Sequence, residues 1–221
     1  MNGAAWEDRL ANVSGGSTKR PFFKKGNMPM RTIYFDVETR KWASDLRPDD
    51  IEAGWDELRT GKGGASAIAV YDTRDSWLYL YDDHTIEICA RHLEQADVLV
   101  GYNSEGFDIP CIEGLVHRRL RLRKHVDIYR LLVQEYARRG ITGQKGDFTL
   151  DAVSKRNLGR GKIDHGSNAK ELARRGQWAK LFNYCGSDVQ LTRDLFTKMV
   201  ADGGLIGLRG QFISLPVEGL S

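Results

Sequence analysis

The middle of the chain alternates short apolar runs with amphipathic segments. Apolar residues recur at helical spacing over 85–95, and the run over 97–101 then has the composition of a buried strand. The pattern repeats as a helix over 109–119, a strand over 125–128 and a helix over 129–139. Strands that alternate with helices are typical of an α/β fold with parallel strands.

The first half of the chain has a different pattern. The apolar and aromatic run over 32–37 predicts a buried strand, and the runs over 67–71 and 77–81, with a short polar turn between them, predict an antiparallel hairpin. The polar segment 41–64 separates these strands and predicts a helix around 51–58. The two halves together predict an α/β fold with a central mixed five-stranded sheet flanked by helices.

The ends of the chain differ from its centre. Residues 1–29 are rich in Gly, Ser, Asn and Lys without sustained periodicity, which predicts a flexible N-terminal arm. We expect one catalytic domain over 30–200, in which Thr149 caps the start of a helix. Residues 201–221 are predicted to be a C-terminal extension too short for a domain.

Composition excludes several classes of protein. No apolar run reaches the ~20 residues that cross a bilayer, so we expect no membrane association. The N-terminal stretch contains no apolar segment of the kind found in secretory signals, so we expect a cytoplasmic location. Three scattered cysteines, Cys89, Cys111 and Cys185, predict reduced core residues rather than disulfides. The net charge of +3 is too small to prove a polyanionic partner, although the basic residues are bunched.

Two acidic residues follow each other closely at the end of the first strand. Asp36 and Glu38 are two residues apart, so both side chains point to one face of the strand while Val37 points to the other. Two neighbouring anions repel each other, and a hard divalent cation with oxygen ligands removes that cost. The pair taken alone also fits two solvated acids at a strand end.

A third acidic residue, Asp108, lies where an apolar strand gives way to a helix. Its carboxylate fits either a metal ligand at the sheet edge or a helix N-cap. The same loop contains Asn103, a candidate contact for a phosphate or water, and Phe107, which fits either a wedge against a base or a core residue.

The final helix, predicted over 177–200, contains the last motif. Tyr184 and Asp188 are four residues apart and therefore project from one face of that helix. A phenol next to a carboxylate also occurs by chance on amphipathic helices, so this pair indicates a functional site only in combination with the other two motifs.

In chain order, Asp36-x-Glu38, Asn103-x-x-x-Phe107-Asp108 and Tyr184-x-x-x-Asp188 resemble the three motifs of the DEDD exonucleases, in their Tyr-type branch. A His-type member would have His at the position of Asn183. The resemblance spans about residues 31–200. The chain is similar to the proofreading domains of family-B DNA polymerases and closer to stand-alone ribonuclease H-like exonucleases, which also resemble it at Gly54-Trp55 and at Thr149-Leu150-Asp151.

The resemblance implies a ribonuclease H-like fold and a 3′→5′ exonuclease that uses two Mg²⁺ or Mn²⁺ ions about 3.5–4 Å apart. It implies that Asp36 bridges both ions and that Glu38 and Asp188 hold the ion of the attacking water. Asp108 would act on the second ion, largely through water, and Tyr184 would orient the nucleophile. Asp127, at the end of the fifth predicted strand, is expected to be structural.

The implied substrate is single-stranded nucleic acid with a free 3′ end. DNA is favoured, although no short motif exposes the contacts around the 2′ position that separate DNA from RNA. Thr39 is expected to make a backbone contact with the terminal nucleotide. The basic loop with Arg156, Arg160 and Lys162 fits either a binding site for the phosphates of a single strand or a solvated surface. A structure-specific endonuclease and a catalytically silent nucleic-acid-binding module are the alternative functions.

Overall fold

The computed structural model describes residues 30–144, 146–163, 167–216 and 218–219. The predicted flexible arm over 1–29 lies outside the described residues. The elements follow in chain order: β1 (Thr32–Thr39), α1 (Ala43–Leu46), α2 (Ile51–Arg59), β2 (Ala65–Asp72), β3 (Trp77–Tyr81), α3 (Ile86–Leu93), β4 (Val98–Gly101), α4 (Asp108–Val116), β5 (His125–Asp127), α5 (Ile128–Arg138), α6 (Leu150–Leu158), α7 (Ser167–Arg174), α8 (Trp178–Asp202), β6 (Gly204–Ile206) and β7 (Phe212–Ser214).

The central sheet has five strands in the order β3-β2-β1-β4-β5. β1 pairs antiparallel with β2, and β2 pairs antiparallel with β3. β1 and β4, and likewise β4 and β5, pair in parallel. The predicted mixed five-stranded sheet is confirmed, with the meander on one side of β1 and the parallel strands on the other.

Helices cover both faces of the sheet, and the alternation of β1 decides which residues meet which layer. Ile33, Phe35 and Val37 are buried in the core on the side of α3 and α4. Tyr34 points to the opposite core, where its ring lies 5.8 Å from that of Phe196 in α8. Because successive strand residues alternate between faces, Asp36 and Glu38 share the face of Tyr34 and point towards α8.

The described residues also contain elements that the sequence patterns did not predict. These are α1, α7 and the hairpin of β6 and β7. Helix α1 has four residues and each hairpin strand has three, so neither is long enough to show a period. Tertiary contacts hold the hairpin, because Asn157 of α6 donates to the carbonyl of Ile206 at 3.0 Å and accepts from its amide at 2.7 Å.

Other expectations concern the core and the surface. Cys89, Cys111 and Cys185 are buried free cysteines, as predicted. Thr149 caps α6, because its hydroxyl oxygen accepts from the amide of Ala152 at 3.3 Å. No helix in the described part of the chain is both long and apolar enough to cross a membrane.

Candidate metal centre and nucleic-acid cleft

Three carboxylates from the two ends of the chain converge beside the sheet. Asp36 and Glu38 lie on β1, and Asp188 lies on α8, which packs across the same face. Each offers one oxygen, and these three oxygens all lie within 4.8 Å of one another. The side chains that the first and third motifs singled out are therefore close enough to share one cation.

Asp108 lies beside this cluster but is held by the backbone of β1. Its Oδ1 atom accepts a hydrogen bond from the amide of Val37 at 2.8 Å. Asp108 is the first residue of α4, and the N-cap position belongs to Phe107. The N-cap interpretation of Asp108 is therefore wrong, because Phe107 is the N-cap and the carboxylate of Asp108 binds the backbone of β1.

Burial and mutual repulsion make the cluster hard to ionise. Burial, followed by the charge of Asp188, raises the pKa of Asp36 to about 7. Burial and then the charge of Asp36 raise the pKa of Glu38, and also that of Asp108, well above the ordinary value. Each of these shifts reflects a carboxylate that lacks sufficient positive charge nearby.

One lysine supplies part of the missing charge. Lys162, from the loop after α6, places its Nζ atom 2.6 Å from Oδ2 of Asp188 and 3.2 Å from the hydroxyl of Tyr184. Burial lowers the pKa of Lys162, but the charges of Asp188, Asp36 and Tyr184 outweigh this and raise it above its usual range. The ammonium group therefore stays charged beside the carboxylates.

The donor set fits a hard divalent metal ion. The second oxygen of Asp188, Oδ1, is buried and has no hydrogen-bond partner among the described residues. A buried carboxylate oxygen without a partner is costly, and a bound cation or water would satisfy it. The oxygens of Asp36, Glu38 and Asp188 are of the type that Mg²⁺ and Mn²⁺ prefer.

Helix α8 contributes two further groups next to the carboxylates. The thiol of Cys185 donates to the backbone oxygen of Asp36 at 3.4 Å and lies 3.6 Å from its Oδ2 atom. Burial and the charge of Asp188 raise the pKa of Tyr184 above its usual range. The phenol of Tyr184 therefore keeps its proton at neutral pH and can position a neighbouring oxygen.

Asp127 holds the loop between β4 and α4 in place through hydrogen bonds to its backbone. Its carboxylate accepts from the amides of Asn103 at 2.8 Å and Glu105 at 2.9 Å, and from the amide of Arg130 at the start of α5. Asn103 has a positive φ of 59°, which these bonds support. The structural role expected for Asp127 is confirmed.

Two open clefts adjoin the carboxylates, and Asp36, Tyr102, Asn103 and Lys162 line both. The smaller, which we call the α2 cleft, has a volume of about 470 Å³; among its lining residues are Thr39, Trp42, Trp55, Phe107, Asp108, Lys170 and Tyr184. The larger, which we call the α6 cleft, has a volume of about 810 Å³; among its lining residues are Tyr129, Phe148 and Lys155.

Comparison with solved structures identifies the architecture. The family B DNA polymerase from the hyperthermophilic archaeon Pyrobaculum calidifontis matches with a TM-score of 0.55 and 20% sequence identity, over 78% of this chain. The fold is ribonuclease H-like. The match covers 25% of the polymerase chain, so this protein spans about a quarter of its length. No protein-family model matches the sequence, and comparison with curated proteins finds no match.

Within this ribonuclease H-like chain, the predicted nucleic-acid contacts separate into two groups. Thr39, Asn103, Phe107 and Lys162 line the clefts. Arg156 and Arg160 are absent from the described residues that line either cleft. The guanidinium of Arg156 donates to the carbonyl of Asp147 at 2.5 Å, and that of Arg160 pairs with Asp194.

Several cleft residues were not recognised as site residues from the sequence. Trp42 and Lys170 lie outside every motif, and Trp55 belongs only to the Gly54-Trp55 resemblance to stand-alone ribonuclease H-like exonucleases. The sequence signal for a binding role was the presence of tryptophans in the otherwise polar segment 41–64, because a large apolar ring in such a segment needs other side chains or a ligand to pack against.

Proposed function

We propose that this chain is a metal-dependent 3′→5′ exonuclease that removes terminal nucleotides from single-stranded nucleic acid, with DNA favoured. The observation that carries the proposal is the convergence of oxygens of Asp36, Glu38 and Asp188 within 4.8 Å, beside two clefts that Asp36 lines in common. The similarity in fold to a family B DNA polymerase supports a role on nucleic acid. The three sequence motifs support the direction of cleavage.

In this mechanism Asp36, Glu38 and Asp188 would hold Mg²⁺ or Mn²⁺, and Asp108 would act on a second ion, largely through water. Two such ions activate the attacking water and stabilise the leaving 3′ oxygen. The unpartnered Oδ1 atom of Asp188 supports its assignment as a ligand. Asp108 also fixes the end of β1 through Val37, so it holds Asp36 in position.

The remaining motif residues position the reactants. Tyr184 orients the attacking water through its hydroxyl, and its raised pKa supports a positioning role over that of a base. Thr39, Asn103 and Phe107 contact the nucleotides next to the scissile bond. Lys162, which lines both clefts, would bind the phosphate of the strand. Arg156 and Arg160, which pair elsewhere, would contact the strand farther from the bond.

The test is digestion of 5′-labelled single-stranded DNA and RNA with Mg²⁺ or Mn²⁺, resolved by length. We expect a ladder of products shortened from the 3′ end. Internal fragments with no shortening from the end would favour a structure-specific endonuclease. Binding without any cleavage would favour a silent nucleic-acid-binding module.

Two variants separate a metal ligand from a positioning group. Asp188→Asn keeps the shape of the side chain but removes a charge that holds a metal, so single-turnover cleavage should fall below detection while the oligonucleotide still binds. Tyr184→Phe removes only a hydroxyl, and its cleavage rate should fall by no more than about 10²–10⁴-fold, the range for a side chain that acts as an acid or base. Cleavage by Asp188→Asn at the parent rate would contradict the metal site.

A further inference from the structure

Two tryptophans in the α2 cleft have no role in the chemistry proposed above. Trp42 precedes α1, and Trp55 lies on α2; both rings are partly buried and line the cleft next to Glu38 and Asp108. The ring of Trp55 meets that of Phe107 edge to face, with centroids 5.7 Å apart and an interplanar angle of 76°. The cleft therefore offers several aromatic rings within reach of the carboxylates.

Close contacts fix Trp55 relative to the loop that precedes Asp108. Gly54 lies so near α1 that a Cβ atom there would be 2.2 Å from the carbonyl oxygen of Ala43. Near the C-terminal end of α2, the thiol of Cys111 donates to the carbonyl of Leu58 at 3.2 Å. The next residue, Arg59, donates to the carbonyl of Gly106 at 2.8 Å. A ring held in this way loses little freedom when a ligand stacks on it.

An ion pair ties the two walls of the α2 cleft together. Lys170 of α7 lies 2.5 Å from the carboxylate of Asp45 in α1, and the two residues are 125 positions apart in sequence. Both clefts have basic lining residues: Arg59, Lys162 and Lys170 line the α2 cleft, and Lys155 and Lys162 line the α6 cleft, which is the larger of the two. By its size and its aromatic rings the smaller cleft suits a single nucleotide, whereas the larger cleft has room for the continuing strand.

We propose that the α2 cleft is the subsite for the base of the 3′-terminal nucleotide, with Trp42 and Trp55 as its stacking residues. This inference rests on the proposed exonuclease function and specifies how the substrate lies in the site. The terminal phosphate group lies at Asp36, Glu38 and Asp188, and the rest of the strand leaves through the α6 cleft. Because every base has an aromatic face, stacking binds the end without selecting its sequence.

The test compares two probes in Mn²⁺ by calorimetry: deoxyadenosine 5′-monophosphate, and 2-deoxyribose 5-phosphate, which lacks the base. Stacking is worth about 1–3 kcal/mol per base, so the nucleotide should bind about 5–150-fold more tightly than the sugar phosphate. In Trp55→Leu this ratio should fall towards one, while the affinity for the sugar phosphate stays at the parent value. Trp42→Leu should lower the ratio as well.

Trp77→Leu is the matched control, because Trp77 is an exposed tryptophan on β3 outside the described lining of either cleft. It should leave the ratio unchanged. An equal affinity of the parent protein for both probes, or an unchanged ratio in both Trp42→Leu and Trp55→Leu, overturns the subsite. If Trp55→Leu lowers the melting temperature strongly, Trp42→Leu and Trp55→Phe decide the question.

Different results of the same experiment would contradict the proposed function. If the sugar phosphate does not require Mn²⁺ for binding, or binds equally well to Asp188→Asn, the metal centre is wrong whatever the tryptophans do.

Discussion

Lys162 places a positive charge beside the carboxylates of the candidate metal centre. Its ammonium lies 2.6 Å from Asp188 and lowers the pKa of Asp36 and of Glu38 against the effects of burial. A positive charge at this place does part of what a metal ion would do. It also repels an incoming cation, so Lys162 stabilises the metal-free protein and competes with the metal.

Substitution of Lys162 should therefore separate these two effects. In Lys162→Met, the melting temperature of the metal-free protein should fall, because one buried and two half-buried carboxylates lose a neighbouring positive charge. The rise in melting temperature on adding Mn²⁺ should be larger than in the parent protein, and the apparent dissociation constant of Mn²⁺ should be several-fold lower. Thermal scans with EDTA and with a series of Mn²⁺ concentrations measure both quantities.

Lys155→Met is the control for this experiment, because Lys155 is exposed and pairs with Asp151 on the surface of α6. Its loss should change the metal-free melting temperature little, since exposed ion pairs contribute about 0–1 kcal/mol. An unchanged Mn²⁺ response in Lys162→Met would show that the lysine and the metal do not share a site.

At the scale of elements, the segment 41–64 forms a two-helix wall beside the candidate metal centre. Helix α2 begins where Asp50 accepts from the amide of Ala53 at 3.0 Å. It crosses α1 at Gly54, which contacts the backbone of Ala43. The close crossing places Trp42 and Trp55 on one cleft, so the wall depends on a residue without a side chain at this point.

Gly54→Ala tests this packing. A Cβ atom at Gly54 would lie 2.2 Å from a backbone oxygen of α1, which cannot rotate away as a side chain can. We expect a loss of about 1–3 kcal/mol from overpacking. This exceeds the roughly 1 kcal/mol that alanine gains over glycine inside a helix. Chemical denaturation of the variant and the parent protein measures the difference.

Gly186→Ala, on α8, provides the comparison. A Cβ atom there would meet only the Cδ2 atom of Leu78, at 2.9 Å, and this exposed side chain can move. The variant should be as stable as the parent protein or more stable by up to about 1 kcal/mol. If both alanine variants had the same stability, the crossing of α1 and α2 would not be a close constraint.

At the scale of the whole molecule, the carboxylate cluster contains residues of the first strand of the sheet and of the last long helix. Asp36 and Asp188 come from β1 and α8, which close the core on one face of the sheet. Folding therefore brings together carboxylates that repel one another in the absence of a metal. The stability of the whole fold should depend on their ionisation.

The dependence on pH follows from the raised pKa of Asp36, from 3.8 to about 7. Between these values the folded protein keeps a proton that the unfolded chain has lost. The free energy of unfolding contributed by this group is therefore greatest below about pH 4 and decreases as the pH rises to about 7. Denaturation of the metal-free protein across this range should show the decrease relative to Asp36→Asn, which cannot ionise.

Saturating Mn²⁺ should remove or reverse this decrease, because the metal binds the ionised carboxylates of the folded state. Parallel pH profiles of the metal-free parent protein and Asp36→Asn would contradict the raised pKa of Asp36.

The sequence by itself determined the α/β class, the mixed sheet and the candidate carboxylates. Each depends on local spacing: alternation along β1 places Asp36 and Glu38 on one face, and one helical turn separates Tyr184 from Asp188. Only the tertiary structure decided that Lys162 pairs with Asp188, that Asp108 binds the backbone of Val37, and that Trp55 meets Phe107. These contacts join residues far apart in sequence, and no period along the chain encodes which distant side chains meet when the layers pack.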